Sequence, residues 1–363
     1  MIKYKFSIIL ILLSLSSIYS QHKIKETFSE KFVPFVEIYS ENGDLIGVSD
    51  INGVISLELE NKIYNSKATN LTFVNSLYIT SELSIEKFKN SPIIALDRIA
   101  IELDEVVISK PKTYKYLKLK GYFRSIQINE DRPHYFIDGI AEIYISLKSG
   151  KMKMRIISNR SFENKSVNQL SKNFFFMVAG VPVFNEFTNF ENLNKEYNLK
   201  TENNLKTTIS DKITNFEKGT ISTLDNKSNL QLEIISTTKP KIMKAFGMET
   251  DYNNYTINSI YENNESQEIN LENIIYFKEI RSYDIKRKQK DKFQKVEATH
   301  EFYLLEKEYV NELESKQFDD FYTFKRPSKF KNKYWEKVNN QYFQPLPKSI
   351  EKYIEENLIL IEK

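Results

Sequence analysis

Apolar and polar residues alternate with a period of two through much of this 363-residue chain, and this pattern constrains the fold more than any other feature. Successive side chains of a strand point to opposite faces, so alternation predicts strands with one buried face. The stretch from Val33 to Leu59 contains three such segments. Asn42 and Gly43 form the first turn signal between them, because both residues tolerate a positive φ. Residues 50–53 form the second, so we predict that residues 54–59 are a third strand.

Longer alternating segments follow residue 110. Residues 132–162 alternate on both sides of a Ser-Gly turn, and residues 273–286 and 295–310 flank a second hairpin. Strands of about a dozen residues predict a strongly curved antiparallel sheet. Residues 349–361 instead repeat apolar side chains at helical spacing, which predicts an amphipathic helix. The fold class we predict is therefore mainly β, with an N-terminal β-sandwich, a larger long-stranded antiparallel β domain and a few helices.

The first twenty residues, MIKYKFSIILILLSLSSIYS, have the pattern of a signal peptide. Two lysines precede an apolar run from Phe6 to Leu15, which is too short for a membrane span of about twenty residues. Cleavage is expected after Ser20, with export to the periplasm or the outer membrane. An uncleaved anchor is the alternative. His22 would then lie among the first mature residues, where we expect it to be disordered.

Composition excludes several classes of protein. The chain has no cysteine, which excludes disulfides, thiol catalysis and cysteine-bound zinc. Its 52 basic and 49 acidic side chains nearly balance, which gives no electrostatic basis for binding nucleic acid. The densest basic run extends from Asp284 to Lys295 between two predicted strands. We interpret it as a solvated hairpin end, with contact to a polyanion or anionic lipid as the alternative.

The N-terminal segment VEIYSENGDLIGVSDINGVISLEL, followed by LTFVNSLYIT and IELDEVVIS, resembles the carboxypeptidase regulatory-like domain. That family has a transthyretin-like, seven-stranded β-sandwich and is common at the N-terminus of Bacteroidota cell-envelope proteins. The resemblance covers about residues 26–109, and Gly47, Asp50 and Gly53 are its most diagnostic residues. It implies structural turn roles for Asp50 and Gly53, no catalytic residue and an accessory role for the domain.

The later segments are similar to the uncharacterised remainder of Bacteroidota proteins that begin with this domain, and they imply no activity. The long curved sheet resembles the half-barrels of lipoprotein carriers in architecture only. The domains that we predict are a signal peptide over residues 1–20, the regulatory-like β-sandwich over 22–109, an antiparallel β domain over 110–330 and a C-terminal segment with the helix over 331–363.

The most apolar stretch after the leader is SVNQLSKNFFFMVAGVPVF, residues 166–184. Its spacing favours a buried helix that ends at Gly180, because Pro182 prevents its continuation. A lid over an apolar cavity is the alternative. The candidate ligand contacts in this stretch are Phe174, Phe175, Phe176 and Val181.

No metal-binding, serine-hydrolase or phosphate-binding motif is present, so we predict no cofactor, metal or catalytic residue. Of the three histidines, His134 and His300 lie in predicted strands and are candidate ligand contacts. Four strand arginines are expected to pair with carboxylates across strands, with a polar cleft as the alternative. These arginines are Arg124, Arg155, Arg160 and Arg281.

The sequence therefore favours an exported, non-enzymatic envelope protein with a binding or accessory role. Its partner would be another envelope protein, a glycan or an apolar ligand, and its membrane contact would be at most peripheral. One alternative is a hydrolase whose site is dispersed over the second domain. Another is a lipid or lipoprotein carrier with an apolar cavity.

Overall fold

The structure, a computed structural model, describes the chain from Gln21 to Glu362 with several gaps. The residues outside the description are 1–20, 30, 100–113, 165–179, 185–188, 204–205, 225, 236–240, 246–247, 263–268, 287–290, 315–316, 321–325 and 363. The chain forms two compact units, divided between Ile99 and Ala100. Large antiparallel sheets and few helices confirm the predicted mainly β class. The predicted signal peptide, the IELDEVVIS segment and Phe174, Phe175 and Phe176 lie outside the described residues.

The first unit combines a four-stranded antiparallel sheet, in the order β3-β2-β4-β5, with a parallel pair of β1 and β6. Its core is one apolar cluster that includes Ile24, Val36, Phe73 and Phe88. The described elements are β1 (Lys23–Glu26), β2 (Glu37–Ser40), β3 (Leu45–Val48), α1 (Leu57–Asn65), β4 (Asn70–Asn75), β5 (Tyr78–Ser84), α2 (Ile85–Asn90) and β6 (Ile93–Leu96).

The two turns singled out in the sequence shape this unit. Gly43 and Gly53 have φ values of +85° and +68°, which favour glycine. Asp50 Oδ1 accepts hydrogen bonds from the backbone N–H groups of Asn52 (2.8 Å) and Val54 (2.7 Å). A Cβ atom at Gly53 would lie 2.8 Å from a backbone carbonyl oxygen, so the turn also requires glycine sterically.

The third strand predicted over residues 54–59 is wrong. Only Val54 makes an isolated bridge, and helix α1 begins at Leu57. The Ser56 side chain caps this helix by accepting from the N–H of Leu59 at 3.2 Å. Leu59 and Ile63, four residues apart, then face the core together. The same apolar residues satisfy a strand pattern and a helix pattern, and the capping serine decides between them.

The expectation that His22 is disordered is also wrong. His22 is buried, with Nδ1 2.7 Å from Glu60 Oε1 and Nε2 2.8 Å from the carbonyl oxygen of Phe88. Its ring stacks on the Phe88 ring with centroids 4.1 Å apart. His22 is therefore part of the packed core of the first unit.

The second unit is built on a single twelve-stranded antiparallel sheet. Its strand order is β10-β11-β12-β13-β15-β16-β17-β7-β8-β9-β18, and β14 also pairs with β15. The described elements are β7 (Tyr116–Asn129), β8 (Arg132–Ser146), β9 (Met152–Glu163), α3 (Phe190–Glu196), β10 (Tyr197–Asn203), β11 (Lys206–Asp211), β12 (Glu217–Leu224), β13 (Lys227–Ile235), β14 (Lys241–Ala245), β15 (Met248–Glu262), β16 (Ile274–Lys286), β17 (Gln294–Val310), α4 (Lys348–Asn357) and β18 (Ile359–Leu360). Two short 3-10 helices, Leu271–Asn273 and Tyr334–Glu336, complete the set.

Most of the buried apolar side chains of this unit form one large cluster on one side of the sheet. This cluster includes Met154 of β9, near one end of the strand order, and Ile209 of β11, near the other end. Phe123 and Phe302 contribute from the central strands, and the neighbouring Phe184 meets the Phe302 ring at 5.3 Å. We call this side of the sheet the core face. Side chains alternate along each strand, so the intervening residues form a second, opposite face.

Residues 326–347, which we call the strap, contact that opposite face, which we therefore call the strap face. The helix predicted near the C-terminus is α4, which begins directly after Pro347. The predicted helix is wrong beyond Asn357, because Ile359 and Leu360 form β18 against the outer edge of β9. Their backbone groups pair with strand groups that would otherwise face solvent.

Candidate functional site

The strap face carries a buried ionic network centred on Glu301 of β17. Arg124 is its cross-strand partner on β7, and the Arg124 guanidinium forms an ion pair with the Glu301 carboxylate. The hydroxyls of Tyr276 and Tyr303 donate to Glu301 Oε1, both at 3.1 Å, and Lys278 Nζ lies 3.4 Å from the same oxygen. Burial alone would raise the pKa of Glu301, but Arg124 and Lys278 hold it at about 2. The carboxylate is therefore ionised at neutral pH and serves as an acceptor.

A second network surrounds Asp138 of β8, whose side chain is fully buried. Arg160 contacts both of its oxygens, with Nε 3.0 Å from Oδ1 and Nη2 2.5 Å from Oδ2. The hydroxyl of Tyr122 donates to Oδ2 at 3.1 Å, and that of Tyr334 donates to Oδ1 at 2.8 Å. Burial and the Asp138 charge raise the pKa of Tyr334, which stays a donor. The Arg160 guanidinium also lies 3.6 Å from the ring centre of Trp335.

Both networks attach the strap to the sheet. Tyr334 anchors its middle through Asp138, and Arg124 Nη1 donates to the Gln344 carbonyl oxygen at 2.7 Å. Between these points, Asn340 Nδ2 donates to the Leu304 carbonyl oxygen at 2.7 Å. Hydrogen bonds to the sheet thus hold the strap at Tyr334 and at Asn340, on either side of residues 335–339.

A cleft of about 550 Å³ lies beside this attached segment of the strap. Ile140 of β8 and Leu305 of β17 provide apolar lining from the sheet. Lys333 forms an ion pair with Glu336 at 2.9 Å, whereas Lys337 pairs with no carboxylate of the described residues. The cleft therefore combines apolar lining with one uncompensated positive charge. Its remaining lining residues are Asn332, Tyr334 and Val338.

The core face holds a different polar cluster around His300. Ser125 Oγ lies 2.9 Å from His300 Nδ1 and accepts from the Gly180 N–H at 3.3 Å. Since the Ser125 hydroxyl has a second acceptor lone pair, the tautomer of the imidazole decides which of Ser125 Oγ and His300 Nδ1 donates. Burial and the charge of Arg281 lower the pKa of His300 to about 3, so its imidazole is neutral at physiological pH. Its Nε2 has no hydrogen-bond partner among the described residues.

This cluster does not assemble a serine-hydrolase triad in the described part of the chain. Glu279 is the cross-strand partner of His300, but its carboxylate is taken by Arg281 at 2.7 Å and by the Tyr255 hydroxyl at 3.1 Å. No described carboxylate orients the imidazole. A neutral histidine with so low a pKa is also a weak general base. Ser125 and His300 are thus placed as a buried polar pair.

The candidate contacts from the sequence are dispersed. Val181 is buried in the core-face cluster, while Phe174, Phe175 and Phe176 lie outside the described residues. His134 is buried at an irregularity of β8, where Nδ1 lies 2.7 Å from Asn129 Nδ2. His134 and His300 do not meet, because β7 separates their strands.

Three of the four strand arginines confirm the predicted pairing across strands, whereas Arg281 pairs with a glutamate two residues away in its own strand, β16. Arg124 pairs with Glu301, Arg155 with Glu142, Arg160 with Asp138 and Arg281 with Glu279. Sequence reasoning missed their partners and the strap tyrosine, Tyr334. The sequence signal that could have identified such a partner is an acidic residue inside an otherwise apolar alternating strand, such as Asp138.

Other site classes find little support among the described residues. No group of three or more histidine, aspartate or glutamate side chains there is placed to hold a metal ion. None of the described helices combines the length and the apolar character needed to cross a bilayer. In the basic run, Lys286 pairs with Glu249 at 3.0 Å and Lys295 with Asp131 at 3.0 Å, as a hairpin end would allow. Residues 287–290 lie outside the description.

Comparisons with known proteins assign no family. No family model matches the sequence, and no curated protein matches it, so the resemblance to the regulatory-like domain stays a prediction. A solved structure that describes lipid–protein interactions in lipovitellin has some similarity to this chain. The match has a TM-score of 0.27 and 10% identity, and it covers 57% of this chain and 27% of that chain. At this TM-score, neither fold nor function transfers from lipovitellin.

Proposed function

We propose that this chain is an exported, non-enzymatic binding protein and that the cleft beside the strap holds a small amphipathic anion. The observation that carries the proposal is the pairing of apolar lining, from Ile140 and Leu305, with the uncompensated charge of Lys337. A volume of about 550 Å³ lies within the range of small-molecule sites.

The attachments of the strap support binding rather than loose packing. Tyr334 is fixed by the buried Asp138, and Asn340 is fixed by the carbonyl oxygen of Leu304. A wall held in this way is already ordered before a ligand arrives, so binding would cost little conformational entropy. Retention of a ligand is therefore the role that we propose for this cleft.

Export is the location that accompanies this function. It is supported by the leader pattern of residues 1–20, and the resemblance of residues 26–109 supports an accessory role for the first unit. Intact-mass measurement of the protein from its own envelope tests the location. A chain that begins at Gln21 is expected, and a cytoplasmic chain that begins at Met1 would contradict export.

The binding experiment uses 8-anilinonaphthalene-1-sulfonate, an amphipathic anion that fluoresces in apolar sites. Trp335 is the one tryptophan of the chain and adjoins Tyr334 and Glu336 of the cleft lining. A probe bound in the cleft should therefore quench Trp335 fluorescence while its own emission rises. Decanoate should displace it competitively.

The matched variants are Lys337→Glu, in the cleft, and Lys331→Glu, an exposed strap residue outside its lining. Reversing the charge at Lys337 should weaken probe binding by about tenfold, which corresponds to about 1.4 kcal/mol. Lys331→Glu should bind as the unsubstituted protein does. Equal affinities for all three proteins, or probe fluorescence without Trp335 quenching, would place the site elsewhere.

A further inference from the structure

The first unit presents an apolar hairpin near the start of its described residues. The N–H of Glu26, at the end of β1, donates to the Lys31 carbonyl oxygen at 3.0 Å. Ser29 fixes the turn, because its Oγ donates to Glu26 Oε2 at 2.7 Å and accepts from the Lys31 N–H at 3.2 Å. This hydrogen-bonded turn displays Phe28, whose surface is 95% exposed. An ordered turn that exposes a phenylalanine is poorly explained by folding alone.

The adjoining outward surface is also apolar and is flanked by lysines. Phe32 and Ile93 are 41% and 50% exposed. The ammonium groups of Lys23 and Lys25 lie 5.3 Å and 5.2 Å from the centre of the Phe32 ring. Lys23 is the register partner of Ile93 in the parallel pair, so cation and apolar side chain share one face. We call these residues and Phe28 the hairpin patch.

We propose that the hairpin patch docks on the surface of an anionic lipid bilayer. Aromatic side chains next to lysines suit the membrane interface, where the rings enter the headgroup region and the ammonium groups meet lipid phosphates. Residues 23–32 carry three lysines against two glutamates, which leaves an excess of one positive charge. The charge is therefore complementary to an anionic surface.

The position of the patch in the chain supports the same partner. The apolar run from Phe6 to Leu15 ends eight residues before Lys23, the first residue of β1. Whatever membrane the leader engages during export, the hairpin patch is the first described surface that follows it along the chain. Docking needs no spanning segment, because Phe28 and Phe32 would enter only the interfacial layer.

Co-sedimentation of the exported, purified protein with lipid vesicles tests this inference. The vesicles are equimolar phosphatidylglycerol and phosphatidylcholine, or phosphatidylcholine alone. Phe28→Ser should lower binding to the anionic vesicles by tenfold or more. The matched control is Ile213→Ser, because Ile213 is 91% exposed on the hairpin between β11 and β12.

Reversing the charges of Lys23 and Lys25 provides a second test in the same vesicle experiment. The variant K23E/K25E should lose the preference for phosphatidylglycerol, while Phe28→Ser lowers binding to both kinds of vesicle. The two sites are on the surface, so urea unfolding curves should be unchanged and a folding defect would be visible. Absence of vesicle binding, or equal losses for Phe28→Ser and Ile213→Ser, would overturn the proposal. Neither result bears on the cleft, whose test uses small molecules in solution and no vesicles.

Discussion

Replacing Arg124 by methionine tests whether the strap-face network is as buried as the structure shows. Methionine keeps an unbranched side chain and removes the charge. Glu301 would remain buried, with Lys278 Nζ at 3.4 Å as its nearest cation, and the Gln344 carbonyl oxygen would lose its donor. Breaking a buried ion pair in this way costs about 3–5 kcal/mol. We expect a loss of that size in the free energy of unfolding at pH 7.

The pKa of Glu301 gives an independent measure of the stability that the network contributes and the direction in which this stability changes with pH. Its ordinary value is 4.5 and its value in the folded protein is about 2, which corresponds to about 3 kcal/mol of stability. Because the folded pKa is the lower one, this stability is present above pH 4.5 and is lost as the pH falls towards 2. Without Arg124, the strongest influence that lowers the pKa of Glu301 is gone, so we expect this pKa to rise although Lys278 remains. The difference between the two proteins should therefore shrink on acidification.

The assay is urea unfolding followed by the fluorescence of Trp335, at pH 7 and at pH 3. This tryptophan lies in the strap, so its signal reports the second unit and not the first. Lys120→Met is the matched control, because Lys120 faces the same side of β7 and pairs with Glu306 at 2.7 Å in a solvated position. It should cost less than about 1 kcal/mol. A cost below 1 kcal/mol for Arg124→Met, or an equal cost at both pH values, would refute the reasoning.

Two further predictions use the same fluorescence signal. His300 has a folded pKa of about 3, so the unfolded chain binds a proton below pH 6.5 that the native state does not, and stability should fall as the pH drops from 6.5 towards 3. His300→Gln, which still offers Ser125 a partner, should have a flatter stability profile between pH 6.5 and 5, and an unchanged slope would contradict the assignment. At Gly121, an added Cβ would lie 2.3 Å from Phe302 Cζ, so Gly121→Ala should lose about 1–3 kcal/mol or more. Gly150→Ala has open space but a φ of +67° and should lose only about 1 kcal/mol, so the reverse order would be inconsistent with the packing described.

Local patterns predicted the local structure. The Asn42 and Gly43 turn, the hairpins of the long strands and the C-terminal helix all depend on neighbours within a few residues. The failure at α1 is also local, because Ile55, Leu59 and Ile63 are spaced for a helix while residues 54–59 alternate as in a strand. Ser56 carried the deciding information as a capping residue. His22 was misjudged because burial of a chain start depends on Glu60 and Phe88, which are distant in sequence.

The buried networks beneath the strap depend on the register in which distant strands pair, and this register could not be predicted from the sequence. Arg124 and Glu301 are separated by 177 positions, and they meet because β7 pairs with β17. A slip of one residue in that pairing would move Glu301 to the core face. The sequence predicted that the strand arginines pair with carboxylates. The identity of each carboxylate, however, follows only from the fold. The strap is less predictable still, since its residues 326–347 have little regular structure.

The two buried ionic networks position the strap more than they stabilise the fold. Apolar replacement of a buried ion pair is often neutral, so stability alone does not require both Arg124 and Glu301. Each network, however, also bonds a strap atom: Arg124 donates to the Gln344 carbonyl oxygen, and Asp138 accepts from Tyr334. The double variant R124M/E301L should therefore regain at least half of the stability lost by Arg124→Met, yet leave the strap loosely held near Gln344. Faster hydrogen exchange of residues 338–346 at restored stability would show this separation. Protection equal to that of the unsubstituted protein would mean that apolar packing alone positions the strap.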